Sequence, residues 1–170
     1  MRRRELLQRL QESKEPISGG QFAELFGVSR QVIVQDIALL RAEGHAIDAT
    51  TRGYRMSSAA TGVQDVFAVR HRPDQTELEL KTLVDLGIVV KDVVVDHPLY
   101  GELRGGLEIR SRRDVDLYLE RMRQNGGALL SSLTDGAHIH TVEARDLATL
   151  AAGRQALRRL GLLDETAGTE

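Results

Sequence analysis

Five histidines are spread over 170 residues that contain no cysteine. Two of them, His138 and His140, stand two apart in AHIHTVEA, a stretch with the alternation of a strand. Residues two apart on a strand project from the same face, so both imidazoles can reach one transition metal. His71 falls at the end of an earlier strand, and Glu79 lies eight residues later in the first turns of a helix, where it can supply an oxygen. Glu77 takes that place if the helix is phased differently. Two nitrogens, a further histidine and a carboxylate make a site with positions left for water or a ligand. The polar face of an edge strand gives the same H-x-H spacing without any metal. His97, before Pro98, reads either as a residue that fixes a turn or as a ligand contact. His45, just after a helix, reads as a surface residue or a helix-end cap.

The elements around these residues follow from period and punctuation. Val66–Val69 is a short strand. Asp74, with Glu77 three residues on, opens a helix whose core face is Leu80, Leu83, Val84 and Leu86. Ile88–Val95 is β-branched and apolar, hence a strand, and His97–Gly101 turns it into a returning strand over Glu102–Arg110. Ser111–Asp114 starts a helix carrying Val115, Leu117, Tyr118 and Met122, which stops at Asn125–Gly127. Two further strands are expected at Ala128–Leu133 and His138–Glu143, then a helix from Asp146 to Leu160. The order β-α-β-β-α-β-β-α is best met by an antiparallel sheet with helices on one face, an α+β domain.

The N-terminal third has helical periods instead. Leu6, Leu7 and Leu10 mark a helix from Arg3 to Ser13, broken by Pro16 and Ile17. Ser18 and Gln21 fit a capping box for a helix over Gly19–Phe26, which turns Phe22, Ala23, Leu25 and Phe26 inward. Gly27-Val28-Ser29 is a tight turn into a third helix ending near Glu43, with Val32, Ile33, Ile37 and Leu40 on one stripe. Ala46–Ala49 and Gly53–Met56 form a small hairpin. Three helices and a hairpin make a winged helix-turn-helix. Its third helix leaves Arg30, Gln31, Val34, Gln35 and Arg41 outside. A helix fits the major groove, where Arg pairs with guanine and Gln with adenine, each by two hydrogen bonds. Arg30, Gln31 and Gln35 are the candidate base readers. Ser29, with the free amides of the helix start, suits a backbone phosphate. Arg52, at the hairpin tip, suits phosphate or the minor groove. The same module also serves protein contacts in other settings.

Composition narrows the function classes. Without cysteine there is no disulfide framework, no thiolate nucleophile and no Cys-ligated zinc or iron–sulfur site. No apolar run approaches the ~20 residues that span a membrane. The opening MRRRELLQRLQESKE has charge but no apolar h-region, so no secretory signal is expected and the cytoplasm is the default compartment. The net charge is −2. Residues 1–57 carry nine Lys/Arg against seven Asp/Glu, and the remainder fourteen against eighteen, so charge favours phosphate only at the N-terminal unit. The small polar cluster Ser57–Gly62 is the expected linker. It separates a DNA-binding domain over 1–57 from a regulatory domain over 63–163, and the tail Asp164–Glu170 is expected to fray.

Several stretches carry a family likeness: VSRQVIVQDIALLRAEG, then His71-Arg72-Pro73 with Glu79, then VVVDHPLYGELRGGLEI and LLSSLTDGAHIHTVEA. Over about Arg3–Leu163 the chain resembles the NiaR (YrxA) type of bacterial transcriptional repressor, a helix-turn-helix joined to a 3H domain. The resemblance implies repression of NAD biosynthesis or niacin uptake genes, with nicotinic acid as co-repressor and a divalent metal in the 3H domain. Carried over residue by residue, it makes His71, Glu79, His138 and His140 the metal ligands and His97, Tyr100 and Arg104 secondary candidates for holding the organic acid. Mixed histidine–carboxylate sets accept zinc, nickel, manganese or iron. The expected assembly is a homodimer joined through its C-terminal domain, which sets two recognition helices about one turn of DNA (~34–36 Å) apart on a palindromic operator. Two rivals remain at this level. One is a repressor that senses metal without an organic ligand. The other is a metal-dependent hydrolase, which lacks a convincing base–nucleophile pair, so an enzyme is not expected.

Overall fold

A computed structural model describes residues 1–58, 62–126 and 129–168. The chain divides into two units, Met1–Ala59 and Ala60–Glu170. Residues 59–61 of the expected linker lie outside the described residues.

The first unit is built from α1 (Arg2–Glu12), α2 (Gly19–Phe26), α3 (Arg30–Ala42) and a hairpin of β1 (Ile47–Thr50) and β2 (Gly53–Met56). Leu6, Leu10, Phe22, Ile33, Ile37, Leu40 and Ile47 form its core. The capping box is present: Gln21 N–H donates to Ser18 Oγ at 3.0 Å, and Ser18 N–H donates to Gln21 Oε1 at 2.8 Å. Such a cap stabilises a helix by about 1 kcal/mol. Ile17 does more than end α1. Its backbone pairs in both directions with Tyr54, at 2.9 and 2.8 Å, so the segment before α2 adds a rung to the wing. This close approach requires Gly53, which sits at φ 133° where a Cβ would overlap the Ile17 carbonyl.

One residue of this unit differs from expectation. Leu25 is 49% exposed rather than inward, because Phe22 and Phe26, four apart, take the core side of the short α2. Asp36, on the apolar stripe of α3, is buried and takes the Arg2 guanidinium at 2.6 Å, as a buried charge must be paired.

The second unit is a four-stranded antiparallel sheet in the order β3-β6-β4-β5. The strands are β3 (Val63–Arg70), β4 (Val89–His97), β5 (Gly101–Ile109) and β6 (Ala137–Ala144). Between and after them run α4 (Thr76–Asp85), α5 (Arg112–Gln124) and α6 (Leu147–Arg159). Phe67, Val69, Val90, Ile109 and Val142 of the strands pack with Leu80, Leu83, Val115, Leu119, Leu150 and Leu157 of the helices. The alternate strand positions Val66 and Ile139 face away and are partly exposed. Helices therefore cover one face, as an α+β sheet with alternating pattern requires.

The strand expected at Ala128–Leu133 is not there. Ala128 lies outside the described residues, and Leu130–Thr134 is a short 3-10 turn. Local bonds compete with a ladder: Ser131 O accepts the Gly136 N–H at 2.8 Å, and Thr134 Oγ1 bonds the carbonyls of Ser131 and Ala137. The observed order is β-α-β-β-α-β-α. Helix entry also differs at Asp74. The chain passes through a 3-10 turn at Pro73–Gln75, in which Arg72 N–H donates to Gln75 Oε1 at 3.1 Å, and α4 starts at Thr76. Leu86 and Leu117, expected in the core, are 40% and 37% exposed. No helix among the described residues is long and apolar enough to cross a membrane.

Candidate metal centre and nucleic-acid interface

β6 is a central strand, flanked by β3 and β4. His138 and His140 stand opposite Val69 and Phe67, so both rings point into the layer between sheet and helices rather than to solvent. His71, just past the end of β3, is brought to them by a close backbone contact. Its N–H donates to Gly136 O at 3.3 Å. Gly136 has φ 85°, and a Cβ there would overlap the His71 carbonyl. Glu79 shares a face of α4 with Leu80 and Leu83, and that phase carries its carboxylate inward to 1% exposure. The same phase puts Glu77 outside, paired with Lys81 at 2.6 Å, which excludes it from the cluster.

Three imidazoles surround the Glu79 carboxylate. His71 Nε2 contacts Oε2, His138 Nε2 lies 3.4 Å from Oε2, and His140 Nε2 lies 2.6 Å from Oε1. The ligand atoms of His71, Glu79 and His138 are mutually within 4.8 Å. His140 joins them through the second carboxylate oxygen. The rings of His71 and His140 meet His138 edge-on, at 4.8 and 4.7 Å between centroids.

The far side of each ring is tied down. Nδ1 of His71 donates to Arg72 O at 2.8 Å, that of His138 to Gly136 O at 2.8 Å, and that of His140 to Asp92 O at 2.6 Å. A carbonyl only accepts, so each Nδ1 carries a proton and each Nε2 faces the centre, free to give a lone pair to a cation or, without one, a proton to Glu79. This is how outer hydrogen bonds fix metal-binding imidazoles. Two central atoms, Glu79 Oε1 and His140 Nε2, are buried without a hydrogen-bond partner. Two such atoms so close are held by a cation or a shared proton between them. The donor set therefore fits a divalent transition metal.

The charges respond to one another. Burial alone would raise the Glu79 carboxyl, but the His140 charge and close contact with the three imidazoles hold it well below the usual range. Burial would lower His71, but its bond and charge interaction with Glu79 raise it above the ordinary value. Burial likewise would lower His140, which Glu79 raises. Burial, and then the Glu79 charge, raise Tyr118.

The cluster opens on a small cavity of about 20 Å³. Its polar wall includes Thr76, Tyr118 and Ser131, and its apolar wall Leu80, Val93, Leu107, Leu129 and Leu130. That volume accommodates about one water or ion. Thr76, Tyr118 and Ser131 were not marked by sequence spacing. Thr76 alone carried a signal, since it precedes Glu79 by three and so shares its helix face.

His97, Tyr100 and Arg104 do not line this cavity. His97 Nδ1 accepts the N–H groups of Leu99 and Tyr100 at 3.1 and 3.2 Å, fixing the β4–β5 turn, and its ring stacks on Tyr100 at 5.0 Å. Arg104 pairs with Glu102 at 2.9 Å and with Asp92. Through Asp92 it acts on the cluster indirectly. Asp92 Oδ1 accepts the Thr141 N–H at 2.9 Å, while the Asp92 carbonyl holds His140. A register shift between Val90 and Val94 in the β4–β6 pairing brings Asp92 to this position. A lone acid inside the apolar run of β4 was its sequence signal.

In the first unit Ser29 caps α3, its Oγ accepting the Val32 N–H at 3.3 Å while its hydroxyl hydrogen stays available. Arg30, Gln31 and Gln35 are exposed on one side of α3, with Val34 46% exposed among them. Arg41 is exposed too, but its Nε donates to Ile47 O at 2.9 Å and ties α3 to the wing. Among the described residues, Arg52 at the wing tip pairs with the exposed Glu15 at 3.3 Å, and such a surface pair is worth little.

Both units match known domains. The 3H domain matches residues 64–166, and an HTH domain matches residues 2–55. The chain is 42% identical over 166 residues, 95% of its length and 92% of the relative's, to the transcription repressor NadR of Bacillus subtilis (strain 168). It is 43% identical over 156 residues, 92% of its length and 89% of the relative's, to the "probable transcription repressor NiaR" of Thermotoga maritima.

Proposed function

The chain belongs to the 3H-domain family of transcription repressors of the NadR and NiaR type, and we propose that a divalent transition metal and nicotinic acid, bound together in its 3H domain, set its affinity for operator DNA. His71, Glu79, His138 and His140 hold the metal. Residues 1–57 are the DNA-binding head and 63–163 the regulatory domain of a cytoplasmic regulator. The genes so controlled are those of NAD biosynthesis or niacin uptake.

One observation supports this reading above the rest. Three buried imidazoles, each with its Nδ1 proton committed to a carbonyl, converge through Nε2 on one buried carboxylate. An ordinary core has no use for such convergence, because two of the central atoms are left unpartnered. When bound there, the metal supplies a Lewis-acidic position for a carboxylate or ring nitrogen. The protein's own part is to fix the imidazoles, exclude bulk water with Leu80, Val93 and Leu107, and present Arg30, Gln31 and Gln35 to the major groove. Ser29 and Arg52 meet phosphate. A homodimer joined through the regulatory domains spaces two heads over successive grooves. A tenfold effect of ligand on operator affinity takes ~1.4 kcal/mol of coupling, which arises only if the ligand binds one dimer geometry more tightly.

The cavity volume of about 20 Å³ favours a second reading, a sensor of metal alone. Calorimetry of the zinc-loaded chain with nicotinate separates the two. The proposed function gives saturable binding that disappears after chelation, and a sensor of metal alone gives none.

A further inference from the structure

Thr76 is the first residue of α4, one turn before Glu79 and on the same face. It is 6% exposed, it lines the cavity at the cluster, and its hydroxyl has no hydrogen-bond partner among the described residues. A buried hydroxyl left unpaired costs about 1–3 kcal/mol, so structures keep few of them without a reason. Nothing in the metal cluster needs it, since His71, His138 and His140 already have their outer partners.

The surroundings say what it suits. The cluster of imidazoles around Glu79 lines the same cavity as Leu80, Leu107, Leu130 and Tyr118. A ligand here meets the proposed cation, apolar contact, and in Thr76 a neutral hydroxyl with no partner of its own among the described residues. That is the complement of a small aromatic acid, whose ring is apolar and whose carboxylate has an oxygen to spare after one has met the metal. We propose that the Thr76 hydroxyl donates to the organic co-repressor, making Thr76 a specificity-determining residue for its carboxylate. The inference rests on the preceding reading that such an acid binds beside the metal.

The ligand must also make room. A cavity for one water does not admit an aromatic ring, so the lining has to shift when the acid binds. Thr76 and Glu79 both sit on α4.

The test is calorimetric titration of the zinc-loaded full chain with nicotinate, for the wild type, Thr76→Val and Thr76→Ser. Valine keeps the shape and removes the donor, and serine keeps the donor. A hydrogen bond to a charged acceptor corresponds to roughly 10- to 100-fold in affinity. Thr76→Val is expected to weaken nicotinate by at least about tenfold, and Thr76→Ser to retain it, with zinc stoichiometry equal in all three. Equal nicotinate affinity in Thr76→Val and wild type overturns the inference and leaves the co-repressor reading intact. Absence of nicotinate binding to the zinc-loaded wild type overturns both. Loss of zinc from Thr76→Val would instead mark the residue as structural, and also overturns it.

Discussion

Glu79 Oε1 and His140 Nε2 lie 2.6 Å apart in the core of the second unit, both buried and neither hydrogen-bonded. Two lone pairs at that distance repel unless a cation or a shared proton lies between them. Removing either should therefore disable metal binding more than it disables folding. Glu79→Gln keeps the volume and one acceptor but loses the charge. Loss of an outer-sphere partner typically costs 10–100-fold in metal affinity, so loss of this ligand is expected to cost more than ~100-fold. Zinc titration with a competing chelator checks it, alongside circular dichroism to show the fold retained.

The same cluster gives opposite pH slopes with and without metal. His71 and His140 are raised by Glu79. In the chelated protein their stabilising effect is complete below the ordinary histidine value of about 6.5, and is lost as pH climbs through the raised values. Glu79 is lowered. Its contribution is present above the ordinary carboxyl value of about 4.3, and is lost as pH falls through the lowered one. Chelated protein should thus melt highest between about pH 5 and 6.5 and decline above. Metal competes with the imidazole protons, so metal-loaded protein should gain stability as pH rises through the same range. Parallel melting curves would contradict the assignment.

Gly136 holds His71 against β6 in a conformation closed to a side chain. Gly136→Ala should cost about 1–2 kcal/mol from the left-handed backbone alone. By displacing His71 it should also weaken zinc binding. Both effects are read from one set of melts with and without zinc.

On the DNA side, a duplex selected from a random pool by the wild-type chain provides the probe. Arg30→Ala should weaken it by about 1–3 kcal/mol and relax preference at one base pair. Arg52→Ala should weaken all duplexes alike and reduce the salt dependence by about one phosphate contact.

Much of this was legible in the amino-acid order. The capping box at Ser18, the turn at Gly27 and the stripe Ile33, Ile37, Leu40 are local signals, and local chemistry realises them. The H-x-H pair was legible as a same-face pair, but its depth was not. Burial came from β6 lying between β3 and β4, a long-range pairing that no spacing encodes. The choice of Glu79 over Glu77 needed the helix phase. The false strand at Ala128–Leu133 arose because apolar content there resembled a strand, while the Thr134 hydroxyl bonded the carbonyls of Ser131 and Ala137. Arg104 and His97 stood in a distinctive stretch, yet one braces Asp92 and the other a turn. Neither lines the cavity.

The most direct measurement is the affinity of the zinc-loaded chain for its selected duplex, by fluorescence anisotropy, with and without saturating nicotinate. The account predicts binding at least about tenfold tighter with nicotinate, equivalent to ~1.4 kcal/mol of coupling, and no nicotinate effect in Glu79→Gln. Equal affinity in both conditions for the metal-loaded wild type would contradict it.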